Sequence, residues 1–157
     1  MTYRILVMAK APIPGIVKTR LRLPPHEAAG LQAALIRDTT ERAASLAPTI
    51  VAGANQLDLI RPILPDDIGL IPQSSGDLGD RMLDASGTLF DTSPNPVLLL
   101  GADAPTLPAN AIQEAADALN AHDISIILSI DGGYVLLGLR RPAAAVFRGV
   151  DWSTGAV

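Results

Sequence analysis

Two aspartates that follow apolar runs are the residues best suited to chemistry in this sequence. Asp103 comes just after the run 97–100, and Asp131 closes the run 124–130. In an open α/β sheet, ligands bind outside the carboxyl ends of the strands, so both carboxylates are expected near one edge. Mg²⁺ typically takes one or two carboxylates and completes its shell with phosphate oxygens and water. The two positions therefore indicate a divalent cation beside a phosphorylated ligand, although a turn or a helix cap explains Asp103 equally well.

A basic loop follows the first apolar run, residues 3–9. Lys10, Lys18 and Arg20 fall within eleven residues, and Gly15 with its neighbouring prolines excludes regular structure between them. Lysine supplies a point charge, arginine supplies paired donors, and free backbone N–H groups add to an anion site. The loop is suited to holding phosphates, and a basic loop in contact only with solvent is the alternative interpretation.

A second loop that contains glycines, residues 73–79, precedes a predicted helix. Either Asp77 or Asp80 is expected to cap that helix, because aspartate oxygens accept hydrogen bonds from free N–H groups in the first turn. Arg81 is the side chain there that would contact a phosphate or a base. A third segment, Asp131-Gly132-Gly133, lies between two apolar runs and is also typical of a plain hairpin turn.

Strands and helices alternate at the spacing of βαβ units, which predicts an α/β fold with a mostly parallel sheet. The predicted strands are 3–9, 49–52, 69–72, 97–100, 124–130 and 135–139. The predicted helices are 25–46, 109–121 and the one opened by the second loop. The first helix is expected to bury a stripe made of Ala28, Leu31, Leu35, Ala43 and Leu46.

Composition limits the functional classes. The chain has 157 residues, a size typical of one domain, and a net charge of -4, which argues against electrostatic binding of nucleic acid. Cysteine is absent, which excludes disulfides, thiolate nucleophiles and cysteine zinc sites. No apolar span approaches the roughly 20 residues of a membrane helix. We expect a cytoplasmic, single-domain protein with no membrane partner.

Five sequence blocks together resemble a known bacterial family. They are K-A-P-x-P-G-x-V-K-T-R-L at 10–21, G-D-L-G-x-R-M at 76–82, G-x-D-x-P-x-L-P at 101–108, D-G-G-Y-x-L-x-G-L at 131–139 and W-S-T at 152–154. Their order and spacing are similar to those of the radical-SAM/selenodomain-associated transferases, which are glycosyltransferase-like proteins of the GT-A nucleotide-diphospho-sugar transferase superfamily. The resemblance covers nearly the whole chain.

The resemblance implies a three-layer, Rossmann-like GT-A sandwich that binds a nucleotide sugar through Mg²⁺ or Mn²⁺. It makes Asp103 the metal ligand and Asp131 the candidate general base for an acceptor hydroxyl. It places Gly132 and Gly133 on the acceptor or sugar side. The residues expected to face the nucleotide or its phosphates are Lys10, Gly15, Lys18, Arg20 and Arg81.

The implied function is metal-dependent transfer of a sugar to a small-molecule acceptor. Two alternatives stay open: a nucleotidyltransferase of cofactor biosynthesis, which would attack an α-phosphate, and an inactive nucleotide-binding module. Family members continue beyond the W-S-T block into a region with an acidic motif. We therefore expect residues 1–157 to form one GT-A-like domain that lacks the C-terminal part of the family domain.

Overall fold

The computed structural model describes residues 2–152, which form one sheet flanked by helices. The strands are β1 (Arg4–Lys10), β2 (Thr49–Ala54), β3 (Gly69–Pro72), β4 (Val97–Gly101), β5 (Ile124–Leu128) and β6 (Tyr134–Leu139). The helices are α1 (Pro25–Ala44), α2 (Leu57–Ile60), α3 (Leu78–Thr92) and α4 (Ala109–Ala118), with short 3₁₀ turns at Thr19–Leu21, Arg61–Ile63 and Ala144–Val146. Within residues 2–152, no helix combines the length and apolar character that crossing a membrane requires.

The sheet order is β3-β2-β1-β4-β6-β5. The pairs β3–β2, β2–β1 and β1–β4 are parallel, whereas β6 runs antiparallel to both β4 and β5. In the centre, Val7 is level with Val51 on one side and with Leu100 on the other. The predicted α/β fold with a mostly parallel sheet is confirmed.

Alternating side chains of the central strands fill two cores, one on each face of the sheet. Ile5 and Val7 of β1 lie in the same core as Ile36 of α1 and Ile112 of α4. Leu6 points to the opposite face, in the core that α3 and the last 3₁₀ turn close. Such continuous apolar strands, buried on both faces, are characteristic of parallel sheets covered by helices. The result is the predicted three-layer sandwich.

The buried face of α1 differs from the expected stripe. Leu31 is exposed, whereas Gln32 and Thr39 are buried. Both polar side chains are satisfied by the backbone, because Gln32 Nε2 donates to the Lys10 carbonyl at 3.1 Å and Thr39 Oγ1 donates to the Ala102 carbonyl at 3.0 Å. Hydrogen bonds to the strand ends thus rotate the helix away from its most apolar arrangement.

Strand β5 forms one edge of the sheet and is shorter than expected, ending at Leu128 rather than at Ile130. Its alternate residues Ile124, Ile126 and Leu128 are exposed on one face. An exposed apolar edge is a common place for association of chains.

Arg4 is a buried cation that ties β1 to the end of α3. Its Nη1 donates to the Leu89 carbonyl at 2.7 Å and to Thr92 Oγ1 at 3.0 Å. Its Nη2 donates to the Ser93 and Asn95 carbonyls at 2.7 and 3.2 Å. Burial lowers the pKa of Arg4, yet the carbonyl cluster around it still fits a guanidinium. One side chain therefore joins the last turn of α3 to the segment that leads into β4.

We expect Arg4→Met to lower the free energy of unfolding by about 2 kcal/mol, because buried carbonyls lose their donors. The measurement is urea denaturation followed by circular dichroism. Arg141→Met is the matched control, because Arg141 pairs with Asp123 at an exposed site where ion pairs contribute little. Equal effects from the two substitutions would contradict a structural role for the Arg4 network.

Candidate active site

The strand directions bring the loops after β4 and before β6 to the same edge of the sheet. Asp103 lies two residues beyond the end of β4. Because β6 is antiparallel to β4, with Leu136 level with Leu100, its beginning lies where β4 ends. Asp131 precedes that beginning in the turn that joins β5 to β6. Two carboxylates far apart in sequence therefore reach one region, as predicted.

Lys18 and Asp103 form an ion pair across this edge. Lys18 Nζ lies 2.6 Å from Asp103 Oδ1, and their side chains are 18% and 65% exposed. Lys18 has left-handed backbone angles (φ 53°, ψ 30°) immediately before the 3₁₀ turn at Thr19–Leu21. A non-glycine residue in this conformation stores strain, of order 1–3 kcal/mol. The basic loop thus holds the ammonium group directly at the carboxylate.

A cleft of about 670 Å³ opens beside this ion pair. Its charged lining residues are Arg20, Asp103 and Asp131. The rest of the lining is mostly apolar and comes from Met8, Leu78, Met82, Leu99, Leu100, Gly101, Gly133, Tyr134, Val135 and Trp152. We call this the acidic cleft, because it contains both predicted carboxylates.

A second cleft, of about 560 Å³, adjoins the acidic cleft. Its cations are Lys10, Lys18 and Arg20, and we call it the basic cleft. The two clefts share Arg20 and Asp103 in their linings. A cavity with cationic walls and a cavity with anionic groups therefore meet at one cation and one carboxylate.

Asp131 is held as a carboxylate by its own turn. Its Oδ1 accepts hydrogen bonds from the Ser129 hydroxyl and from the Gly133 backbone N–H, the latter at 3.3 Å. The Ser129 hydrogen bond, followed by the Gly133 hydrogen bond, lowers the pKa of Asp131 below the ordinary value of an aspartate. Because a lower pKa weakens a base, Asp131 is better suited to orienting a hydroxyl than to removing its proton early.

We expect Ser129→Ala to raise the pKa of Asp131 towards the ordinary value of an aspartate, because the largest stabilising contact of the charged form is lost. Carboxyl ¹³C NMR titration measures this, with Asp131→Asn to assign the signal. In the wild type, the ionised Asp131 favours the folded state above the ordinary aspartate pKa, and this contribution disappears as the pH falls through the lowered pKa. An unchanged Asp131 pKa in the variant would contradict the role of Ser129.

Three residues of the predicted site do not line either cleft. Gly15 and Gly132 have φ of +78° and +91°, so both glycines allow turns that other residues rarely adopt. Arg81 turns back along the start of α3, where its Nε donates to the Asp77 carbonyl at 3.1 Å and its Nη1 to Gln73 Oε1 at 3.4 Å. Of the two predicted candidates for the cap of this helix, Asp77 is the N-cap, and its side chain accepts from the Asp80 N–H at 2.9 Å.

Sequence reasoning missed Gln73, Tyr134 and Trp152 as residues of this region. Gln73 Nε2 donates to the carbonyls of Ala9 and Ala52 at 3.1 and 2.7 Å, joining the ends of β1 and β2. Tyr134 and Trp152 both line the acidic cleft. The D-G-G-Y and W-S-T blocks did contain these aromatic residues, but only the fold brings them together. Ser153 and Thr154 of the last block lie outside the described residues.

Solved structures share this fold. A protein from Desulfovibrio desulfuricans G20, proposed to be a nucleotide-diphospho-sugar transferase, is 30% identical over 99% of this chain and 72% of its own, with a TM-score of 0.89. Rv0371c from Mycobacterium tuberculosis H37Rv, in complex with manganese, is 14% identical over 98% of this chain and 79% of its own, with a TM-score of 0.64.

A 4-diphosphocytidyl-2C-methyl-D-erythritol synthase is 10% identical over 99% of this chain and 82% of its own, with a TM-score of 0.62. These last two show a shared fold. No curated protein matches the sequence. A family model described as "Uncharacterized protein conserved in bacteria (DUF2064)" matches residues 31–154. With most of its length matched in this way, the chain belongs to the DUF2064 family.

Proposed function

We propose that the protein is a transferase that binds a nucleotide-diphospho-sugar and passes the sugar to a small-molecule acceptor. The observation that carries the proposal is the meeting of the basic and acidic clefts at Arg20 and Asp103. Two adjoining cavities of opposite character suit a two-substrate reaction, with an anionic donor in one and an acceptor in the other. The proposed activity of the D. desulfuricans relative supports the same donor class.

The residues present fit a divalent cation that brings most of its own ligands. Within residues 2–152, no group of three or more His, Cys, Asp or Glu side chains is placed to hold a metal. Asp103 offers an accessible carboxylate that already binds one positive group, Lys18. Mg²⁺ and Mn²⁺ suit such a site when diphosphate oxygens and water complete the shell. The bound cation would neutralise charge that develops on the leaving diphosphate.

The chain's own groups have distinct tasks in this proposal. Lys10, Lys18 and Arg20 bind diphosphate oxygens in the basic cleft, where charge-assisted hydrogen bonds are strong. Asp131 accepts a hydrogen bond from the acceptor hydroxyl in the acidic cleft. The acceptor oxygen forms a bond to the anomeric carbon, the bond from that carbon to the diphosphate breaks, and the electron pair leaves with the diphosphate. The hydroxyl proton passes to Asp131 or to water.

The test compares nucleotide sugars with nucleoside triphosphates, each with and without Mn²⁺, by thermal shift and then by product analysis. Sugar transfer releases a nucleoside diphosphate, whereas nucleotidyl transfer from a triphosphate releases pyrophosphate. We expect stabilisation by nucleotide sugars that depends on Mn²⁺ and release of the diphosphate. Pyrophosphate release would favour the nucleotidyltransferase, and binding without either product would favour an inactive nucleotide-binding module.

A further inference from the structure

An aromatic wall forms one side of the acidic cleft. The rings of Tyr134 and Trp152 meet edge to face, with centroids 6.4 Å apart and planes at 78°. Met82 completes this wall, and its sulfur lies 3.6 Å from the Tyr134 hydroxyl. The whole sequence contains one Trp, two Tyr and two Phe, so two of its few aromatic side chains converge on one cavity. We call Met82, Tyr134 and Trp152 the aromatic wall.

Gly79 in the first turn of α3 gives the wall its position. A Cβ atom at residue 79 would lie 2.6 Å from the Phe147 carbonyl oxygen and closer still to Trp152 Nε1. Trp152 Nε1 donates to that same carbonyl at 3.4 Å, so the indole lies directly over the helix. Glycine inside a helix costs roughly 0.5–1 kcal/mol relative to alanine. The close approach of Trp152 gives a physical reason for glycine at this position.

The polar groups of the aromatic wall form hydrogen bonds or contacts within the protein. The Trp152 N–H donates to Phe147, and the Tyr134 hydroxyl lies against Met82. Burial raises the pKa of Tyr134 to about 12, so its ring carries no charge at neutral pH. Edge-to-face aromatic pairs and methionine sulfur favour flat, polarisable partners. Asp131 lies in the turn just before Tyr134, at the carboxylate side of the same cleft.

We propose that the acidic cleft takes an acceptor alcohol with an aromatic body, which packs against the aromatic wall while its hydroxyl reaches Asp131. This inference rests on the proposed transferase function and names its acceptor class. Arg20 is the only cation among the described lining residues of this cleft, and it also lines the basic cleft. A phosphorylated acceptor would therefore have no cation in this cleft that is not shared with the basic cleft. An uncharged aromatic alcohol can instead pack against the aromatic wall.

The test uses 2-phenylethanol as the probe and glycerol as the polar control. Trp152 is the only tryptophan in the sequence, so its fluorescence reports directly on the wall. We expect a saturable fluorescence change with 2-phenylethanol and none with glycerol. Tyr134→Ala should weaken 2-phenylethanol binding about 10-fold, because aromatic stacking is lost. Lys18→Met, in the basic cleft, should leave this affinity within about twofold.

Gly79→Ala supplies a second variant that keeps every aromatic residue. Displacement of the indole should shift its emission to longer wavelength and weaken 2-phenylethanol binding, with folding checked by circular dichroism. Nucleoside diphosphate affinity in the presence of Mn²⁺ should stay within about twofold of wild type in Gly79→Ala and Tyr134→Ala.

Three results would overturn the inference. Binding of 2-phenylethanol no tighter than glycerol, with nucleoside diphosphate binding intact, would refute the acceptor class and leave the transferase proposal standing. Competition between the diphosphate and 2-phenylethanol, with both weakened by Tyr134→Ala, would assign the wall to the nucleobase. Absence of any nucleotide binding would refute the transferase proposal, and the acceptor assignment with it.

Discussion

Asp103→Asn should reduce Mn²⁺-dependent sugar transfer by about 10²- to 10³-fold, the usual loss when a group that stabilises charge in the transition state is removed. The amide keeps the size of the side chain but removes the negative charge that a divalent cation requires. Because the Asp103 side chain is 65% exposed, we expect little change in the unfolding midpoint. Initial rates of diphosphate release, measured across Mn²⁺ concentrations, provide the readout.

Asp123→Asn is the matched control for this substitution. Asp123 also forms an ion pair, in which its Oδ2 lies 2.7 Å from Arg141 Nη2, but it does not line either cleft. Its loss should leave the rate within about twofold of wild type. If Asp103→Asn retains full Mn²⁺-dependent activity, Asp103 is not the metal ligand.

Lys18→Met should weaken binding of a nucleoside diphosphate by about 10- to 100-fold, because hydrogen bonds to charged groups contribute roughly 1.5–3 kcal/mol. The same change should tighten binding of Mn²⁺ to the protein without nucleotide. In the wild type, the ammonium of Lys18 lies at 2.6 Å from Asp103 Oδ1, where it excludes and repels a second cation. Isothermal titration with each ligand alone, and then with both, measures the two opposite effects.

Weaker binding of the diphosphate together with tighter binding of Mn²⁺ distinguishes this role from simple unfolding, which would weaken the binding of both ligands. These two effects also predict that Mn²⁺ and the diphosphate bind more tightly together than apart in the wild type, since phosphate draws Lys18 away from Asp103. Arg141→Met removes a cation elsewhere and should change neither affinity. Tighter Mn²⁺ binding in both variants, or in neither, would argue against competition at Asp103.

Much of the fold could be predicted from the sequence, because its apolar runs are short, separated by turn residues and rich in Ile, Leu and Val. The positions of β1, β3 and β4 are accurate to one or two residues. The face of α1 was not predictable in the same way. Its alanines and threonines give only a weak apolar stripe. The face that is buried carries Gln32 and Thr39, which donate hydrogen bonds to carbonyls at strand ends.

The placement of Asp103 beside the basic loop could be predicted, because it follows from the order of the strands. Asp103 follows a central strand, and the parallel order of β1 and β4 brings the basic loop and its Lys18 beside it. The aromatic wall was not predicted, because Tyr134 and Trp152 are eighteen residues apart and meet only through the approach to Gly79. Arg81 was predicted to contact a phosphate or a base, but its hydrogen bonds direct it towards Asp77 and Gln73, and it lines neither cleft.

The antiparallel pairing of β5 and β6 has a consequence for how substrate choice can change. The turn 129–133 is a local hairpin connection, so its length and composition can vary while the neighbouring strands keep their register. In the proposed function, the donor is bound by the basic loop, which lies more than one hundred residues earlier in the sequence. If the proposal holds, we expect engineered chimaeras that exchange this short hairpin to change the acceptor while they keep the same donor.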